Sequence, residues 1–196
     1  MITRIQIKEN KPTFVLVFSF LSLMVLTATV PRVKTKAWAE SSMAQEYRIK
    51  AAFLYNFAKF VHWPESAFTS KNSPLVLCIM GDDPFGRALD MLKGKTVRGR
   101  PLRILKEPHV GHLPHCHIMF VASSQNAQLR KYLEKLRGQP ILTVSDIPGF
   151  ASIGGVIGFL MIDERIRFEI NPKAAEVNRL QISSQLMKLA RIVGEH

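Results

Sequence analysis

Residues 75–86 read LVLCIMGDDPFG: six apolar residues in unbroken succession, then a turn made of Gly81, Asp82, Asp83 and Pro84. A strand that is apolar at every position is buried on both faces, the condition of a parallel sheet lying between helices. The turn predicts a short helix through Leu92, with Asp83 as N-cap and Pro84 at its first position. Outward from this stretch the same alternation continues. Leu102–Leu105, His117–Ala122 and Ile141–Val144 read as strands, and Gln125–Arg137 as a helix with Leu129, Leu133 and Leu136 inward. Val156–Ile162 and Arg165–Ile170, separated by Asp163-Glu164, read as a hairpin. A helix is expected from Pro172, and another over Ser183–Val193 with Leu186, Leu189 and Val193 on one face. The fold class expected is α/β: a three-layer α/β/α sandwich, its sheet mostly parallel, with an antiparallel C-terminal hairpin at one edge.

Upstream, Ser41–Val61 reads as a helix capped by Ser41 or Ser42 and stopped by His62-Trp63-Pro64. Tyr47, Ala51, Leu54, Ala58 and Val61 form one apolar stripe; Ile49, Phe53, Phe57 and Phe60 form a second. Arg48, Lys50, Asn56 and Lys59 interrupt them. A helix apolar around most of its circumference needs cover on two sides: its aromatics read as core of its own domain, and a partner or dimer surface is expected at Arg48, Phe53, Phe57, Lys59 and Phe60.

The chain has 196 residues, 47% of them hydrophobic, and a formal charge of +12. That charge invites a nucleic-acid reading until it is located. Arg4, Lys8 and Lys11 precede the uncharged run Phe14–Val30, and Ala37-Trp38-Ala39 supplies small residues where a signal peptidase reads them. Basic, apolar and A-x-A regions in this order predict a signal peptide over residues 1–39, with retention as an N-terminal inner-membrane anchor the alternative. Six basic side chains and one acid lie in that segment, so residues 40–196, expected as a single exported domain, carry +7. Export excludes chromosomal DNA as a partner and leaves a solvated basic surface, with a face for an acidic protein partner or an anionic ligand as the alternative.

Cys78 and Cys116 are the only cysteines. In an oxidising compartment they are a candidate disulfide, and the alternative is two buried thiols. His109, His112, His115, Cys116 and His117 crowd nine residues, but no carboxylate or second cysteine completes a metal-ligand spacing, so an exposed histidine-rich loop is expected and no metal. Asp82, Asp83, Ser123, Ser145 and Asp146 end strands, where open α/β sheets bind ligands, and they outline a candidate ligand crevice. No G-x-S-x-G elbow or phosphate loop is present, so neither catalysis nor a cofactor is expected.

EYRIKAAFLYNFAKFVHWP, LVLCIMGDDPFG, the segment from ILTVSDIPGFASIGGVIGF through ISSQLMKLARIV, and the two cysteines together resemble the YfiR family of exported bacterial proteins. The resemblance runs from about Gln45 to Val193 and is most specific at F-x-K-F-x-x-W-P, T-V-S-D-x-P-G-F-A and I-S-S-Q-L-x-K-L-A. It implies a periplasmic regulator, not an enzyme, acting in cyclic di-GMP signalling and biofilm control. Such a protein represses an inner-membrane diguanylate cyclase of YfiN type through its periplasmic sensor domain. An outer-membrane lipoprotein of YfiB type can sequester it, and a homodimer is implied. Cys78 and Cys116 fit one of the family's disulfide positions. A second bridge of the best-known member would need cysteines near Val144–Ala151, and this chain has none there. The alternative function is small-ligand binding in the strand-end crevice.

Overall fold

The structure is a computed structural model, and it describes residues 33–106 and 115–194. The predicted signal or anchor run Phe14–Val30 and the loop histidines His109 and His112 lie outside the described residues. In chain order the elements are α1 (Val33–Phe60), β1 (Val61–His62), β2 (Leu75–Met80), β3 (Thr96–Val97), β4 (Arg100–Lys106), β5 (Ile118–Val121), α2 (Leu129–Leu136), β6 (Leu142–Ser145), β7 (Ile157–Ile162), β8 (Arg165–Ile170), α3 (Pro172–Val177), β9 (Gln181–Ile182), α4 (Ser184–Met187) and β10 (Arg191–Ile192). The chain divides between Ser41 and Ser42 into two units. Of the first, the described part is the opening of α1; the rest of the description concerns the second.

Among the described residues the main sheet has eight strands in the order β10-β8-β7-β6-β5-β2-β4-β3. Its centre is parallel, β4, β2, β5, β6 and β7 running one way, with β7 and β8 paired antiparallel. Every residue of β2 is buried. Leu75, Leu77 and Ile79 face one core with Ile118, Phe120, Leu142 and Val144, under α1. Val76, Cys78 and Met80 face the other with Met119 and Val121, under Leu129 and Leu136 of α2. Side chains that alternate across a sheet covered on both faces give the three-layer α/β sandwich that the unbroken apolar run implies.

Four local expectations differ. α1 begins at Val33 rather than at a Ser41 or Ser42 cap, so Ala37-Trp38-Ala39 falls within the helix. The segment Gln125–Arg137 opens as a 3₁₀ turn, Ser123–Gln128, before α2 starts. The expected helix Ser183–Val193 is only the single turn of α4. Arg191–Ile192 instead pairs parallel with β8, and the Val193 N–H donates to the Ile170 carbonyl at 2.9 Å. Leu189, placed inward by the helical reading, is 72% exposed. Sheet hydrogen bonds open to residues 191–193 outcompete the propensity of a short segment, a tertiary effect invisible to periodicity. Because β10 lies outside β8, the hairpin is not the sheet edge. The opposite edge carries a second antiparallel pair, β3 with β4, turning through Arg98 and Gly99 at φ 51° and 79°.

Candidate functional site

The parallel strands β2, β5 and β6 end together, and α1 crosses above that end. Lys50 sits on the inner face of α1 and is 4% exposed. Its Nζ lies 2.6 Å from Asp146 Oδ2, just past the end of β6, and pairs with Glu46 one helical turn earlier. The Tyr47 hydroxyl donates to the same Asp146 oxygen at 2.9 Å, and the Lys50 ammonium stands 4.4 Å from the centre of the Tyr47 ring. Burial, reinforced by the Asp146 charge, raises the Tyr47 phenol above its ordinary pKa, so it remains a donor at every physiological pH. A buried ammonium is tolerable only with such partners. The cluster ties α1 to the sheet. The sequence reading treats Lys50 as an interruption of an apolar surface and misses this role. A lysine inside the apolar arc of a helix, with no exposed position to occupy, is the signal that points to a buried partner.

The strand ends that carry the expected ligand crevice are neighbours, and three of its side chains are engaged elsewhere: Asp83 with Lys106, Ser145 with backbone, and Asp146 with Lys50 and Tyr47. Chain connections leave β2 and β5 in opposite directions, so the switch point of the sheet lies between them. There the Ser124 hydroxyl accepts from the Asp82 N–H at 2.9 Å. A Cβ on Gly81, at φ +87°, would meet Ser124 Oγ at 2.6 Å and Gln125 Cγ at 2.7 Å. The Asp83 carboxylate accepts from the Phe85 N–H at 2.8 Å and pairs with Lys106 at 2.6 Å, but it is not the expected helix cap: the following element is a 3₁₀ turn, Gly86–Leu92, with Phe85 at its cap position and no side-chain cap. Ser145 is fully buried, donating to the Val121 carbonyl and accepting from the Ile147 N–H. Asp146 is engaged by Lys50 and Tyr47, while Ser123 is exposed at the start of its 3₁₀ turn. Ser124 and Gln125, from the segment that follows β5, pack against Gly81 at this switch point.

The residues expected on the surface of α1 divide. Phe57 is 0% exposed and packs on Phe159 and Phe168 with ring centres 5.7 and 5.0 Å away, so it belongs to the core and not to a partner surface. Phe53 and Phe60 are half-buried; Arg48 and Lys59 are exposed. The helix is covered on one side only. Phe53 reaches Phe159 and Phe168 at 6.0 and 5.6 Å. Ile49, 40% exposed, lies one turn ahead of Phe53, and Met161, 55% exposed, lies two residues past Phe159 on the same strand face. Register between β6 and β7 ends at Ser145 and Gly158, so Phe159–Ile162 extend past the end of β6, paired with β8 alone. The result is an apolar seam along α1 and the hairpin, opening to solvent at Ile49 and Met161, with the exposed cations Arg48 and Lys59 on the same helix; Arg165 and Arg167, paired with Ile162 and Leu160, project from the other face of the hairpin.

The cysteines form a Cys78–Cys116 disulfide, with Cα atoms 5.9 Å apart, buried in the core under α2. His117 does not belong to an exposed loop: it is 3% exposed, with Phe68 stacked on its ring at 4.4 Å. Its neighbour His115 is exposed. Among the described residues no three metal-ligating side chains converge. Nor is any described helix long and apolar enough to cross a membrane.

Residues 47–191, about three quarters of the chain, match the protein family described as YfiR/HmsC-like. The matched span includes both cysteines, the α1 seam and the strand-end cluster.

Proposed function

The chain belongs to the YfiR/HmsC-like family of periplasmic regulators in cyclic di-GMP signalling, and we propose that it represses an inner-membrane diguanylate cyclase of YfiN type by binding the cyclase's periplasmic sensor domain. The observation that supports this reading is the α1 seam: Ile49, Phe53, Phe60 and Met161 form an apolar strip that the domain itself leaves partly uncovered, with Arg48 and Lys59 beside it. In this proposal the seam engages the sensor directly, or first pairs with a second copy in a homodimer. An outer-membrane lipoprotein of YfiB type would release the brake by competing for the regulator. Repression works by preferential affinity for the inactive state of the sensor, and the shift cannot exceed that difference in affinity. The +7 carried by residues 40–196 speeds association with an acidic sensor more than it tightens the complex. Residues 1–39 act as the export signal, and no catalytic residue or cofactor is assigned.

Capture from detergent-solubilised inner membrane tests the reading. The unaltered protein is expected to retain a membrane protein with a diguanylate cyclase domain, and deletion of its gene to raise cellular cyclic di-GMP. Arg48→Glu with Lys59→Glu is expected to slow association about tenfold or more while thermal stability is kept, since both side chains are exposed. An unchanged cyclic di-GMP level in the deletion strain would sink the proposal.

A further inference from the structure

We propose that the cleft between α2 and α3 binds a small organic carboxylate with an apolar body. The cleft encloses about 370 Å³, within the range of small-molecule sites. It lies on the face of the sheet opposite α1, so it is separate from the seam assigned to a protein partner.

Its floor holds buried donors with unused capacity. Thr143, 1% exposed, accepts the Val156 N–H at 3.0 Å, and its hydroxyl donates in no hydrogen bond among the described residues. Asn171, 7% exposed, donates one amide hydrogen to the Ala151 carbonyl and accepts from the Ala174 N–H. Asn178, 6% exposed, donates one to the Ile141 carbonyl and accepts from the Gly138 N–H. A side-chain amide has two N–H donors, so each asparagine keeps one unspent. Three nearly buried groups that line the cleft therefore each keep one hydrogen with no bonded partner among the described residues.

The rim adds charge of the matching sign. Arg130 comes from α2, Arg137 from the position just past its end, and Lys173 from α3, against the single carboxylate of Glu134. Among the described residues none of these three cations has a carboxylate within 4.0 Å. Leu133, Ile153 and Val177 supply apolar wall. Donors without acceptors select a ligand rich in oxygen lone pairs, cations select an anion, and the apolar wall selects against a bare hydrated ion such as phosphate.

Titration of the full, isotope-labelled chain followed by two-dimensional NMR tests this with three probes: phenylacetate, its neutral isostere phenylacetamide, and inorganic phosphate. Millimolar phenylacetate is expected to shift the amide signals of Thr143, Gly154, Asn171 and Asn178, with phenylacetamide and phosphate each binding about tenfold more weakly or less. Arg137→Gln with Lys173→Gln is expected to weaken phenylacetate about tenfold with no loss of thermal stability. Equal binding of the neutral isostere, equal binding of phosphate, tighter binding of an acidic peptide, or no response at these residues would each overturn the assignment. The isostere comparison uses the unaltered chain, so it stands even if the variant folds poorly.

Discussion

At the scale of single residues, burial decides what each polar group does. His117 shows this most clearly. A backbone N–H can only donate and a carbonyl can only accept, so contacts of 3.1 Å from the Val76 N–H to Nδ1 and from Nε2 to the Ala67 carbonyl fix a neutral ring with its proton on Nε2. The Trp63 indole donates to the His117 carbonyl at 3.1 Å, so the same residue fastens the chain that follows α1. Burial, with Arg100 and His115 adding repulsion, brings the His117 pKa down to about 4 from 6.5. Between those values the unfolded chain binds the proton and the folded chain does not, so stability is full above pH 6.5 and declines as the pH falls toward 4. His117→Gln, which keeps a donor and an acceptor, is expected to remove up to about 1.4 kcal/mol per pH unit of that slope, measured by urea unfolding of both proteins across the window. Parallel slopes for the two would show that His117 does not carry it. The sequence suggested an exposed histidine-rich loop because proximity in the chain does not reveal that a ring lies between a strand and the turn covering it.

At the scale of elements, α1 is the part on which the proposed function depends, and two kinds of contact hold it. Ala51, Leu54, Phe57 and Ala58 bury its apolar face, while Lys50, Tyr47 and Asp146 tie its inner side to the end of β6. Removing one member of a buried ion pair strands the other charge. Lys50→Met is therefore expected to cost about 3–5 kcal/mol of unfolding free energy, and Lys50→Met with Asp146→Leu to recover a large part of it. Denaturant unfolding of the two singles and the double closes the cycle; strictly additive losses would mean the pair is uncoupled. The apolar stripe through Ala51, Leu54 and Ala58 was legible from helical spacing. The difference between Phe57, wholly buried, and Phe53 and Phe60, partly open, was not, because it depends on where Phe159 and Phe168 of the hairpin stand.

At the scale of the whole molecule, the disulfide joins β2 to the start of β5 at the centre of the sheet and closes a separation of 38 residues. Constraint of a loop that size contributes about 4 kcal/mol in the chain-entropy account. Urea unfolding with and without reductant is expected to show a loss of about that size. Thiol titration is expected to find no free thiol until the protein is both unfolded and reduced, since Cys78 and Cys116 are 0% and 5% exposed. Equal stability in both conditions would show the bridge to be energetically idle. The bridge lies on the α2 face of the sheet and the seam on the α1 face, so constraint and proposed binding are separate parts of one sandwich.

The α/β class, the buried strand Leu75–Met80 and the hairpin around Asp163-Glu164 follow from the sequence, because apolar runs, turn residues and composition act locally, whereas the cysteines leave a disulfide and two thiols both open until tertiary structure makes β2 and β5 neighbours. Tertiary structure alone decided the rest. It packed Ser124 and Gln125 against Gly81, took Asp146 for Lys50, drew residues 191–193 out of a helix into the sheet, and left Thr143, Asn171 and Asn178 with spare donors in one cleft. Each of these outcomes depends on which distant residue fills a given volume or answers a given hydrogen bond. Close packing settles that among segments far apart in the chain, so no local pattern carries it.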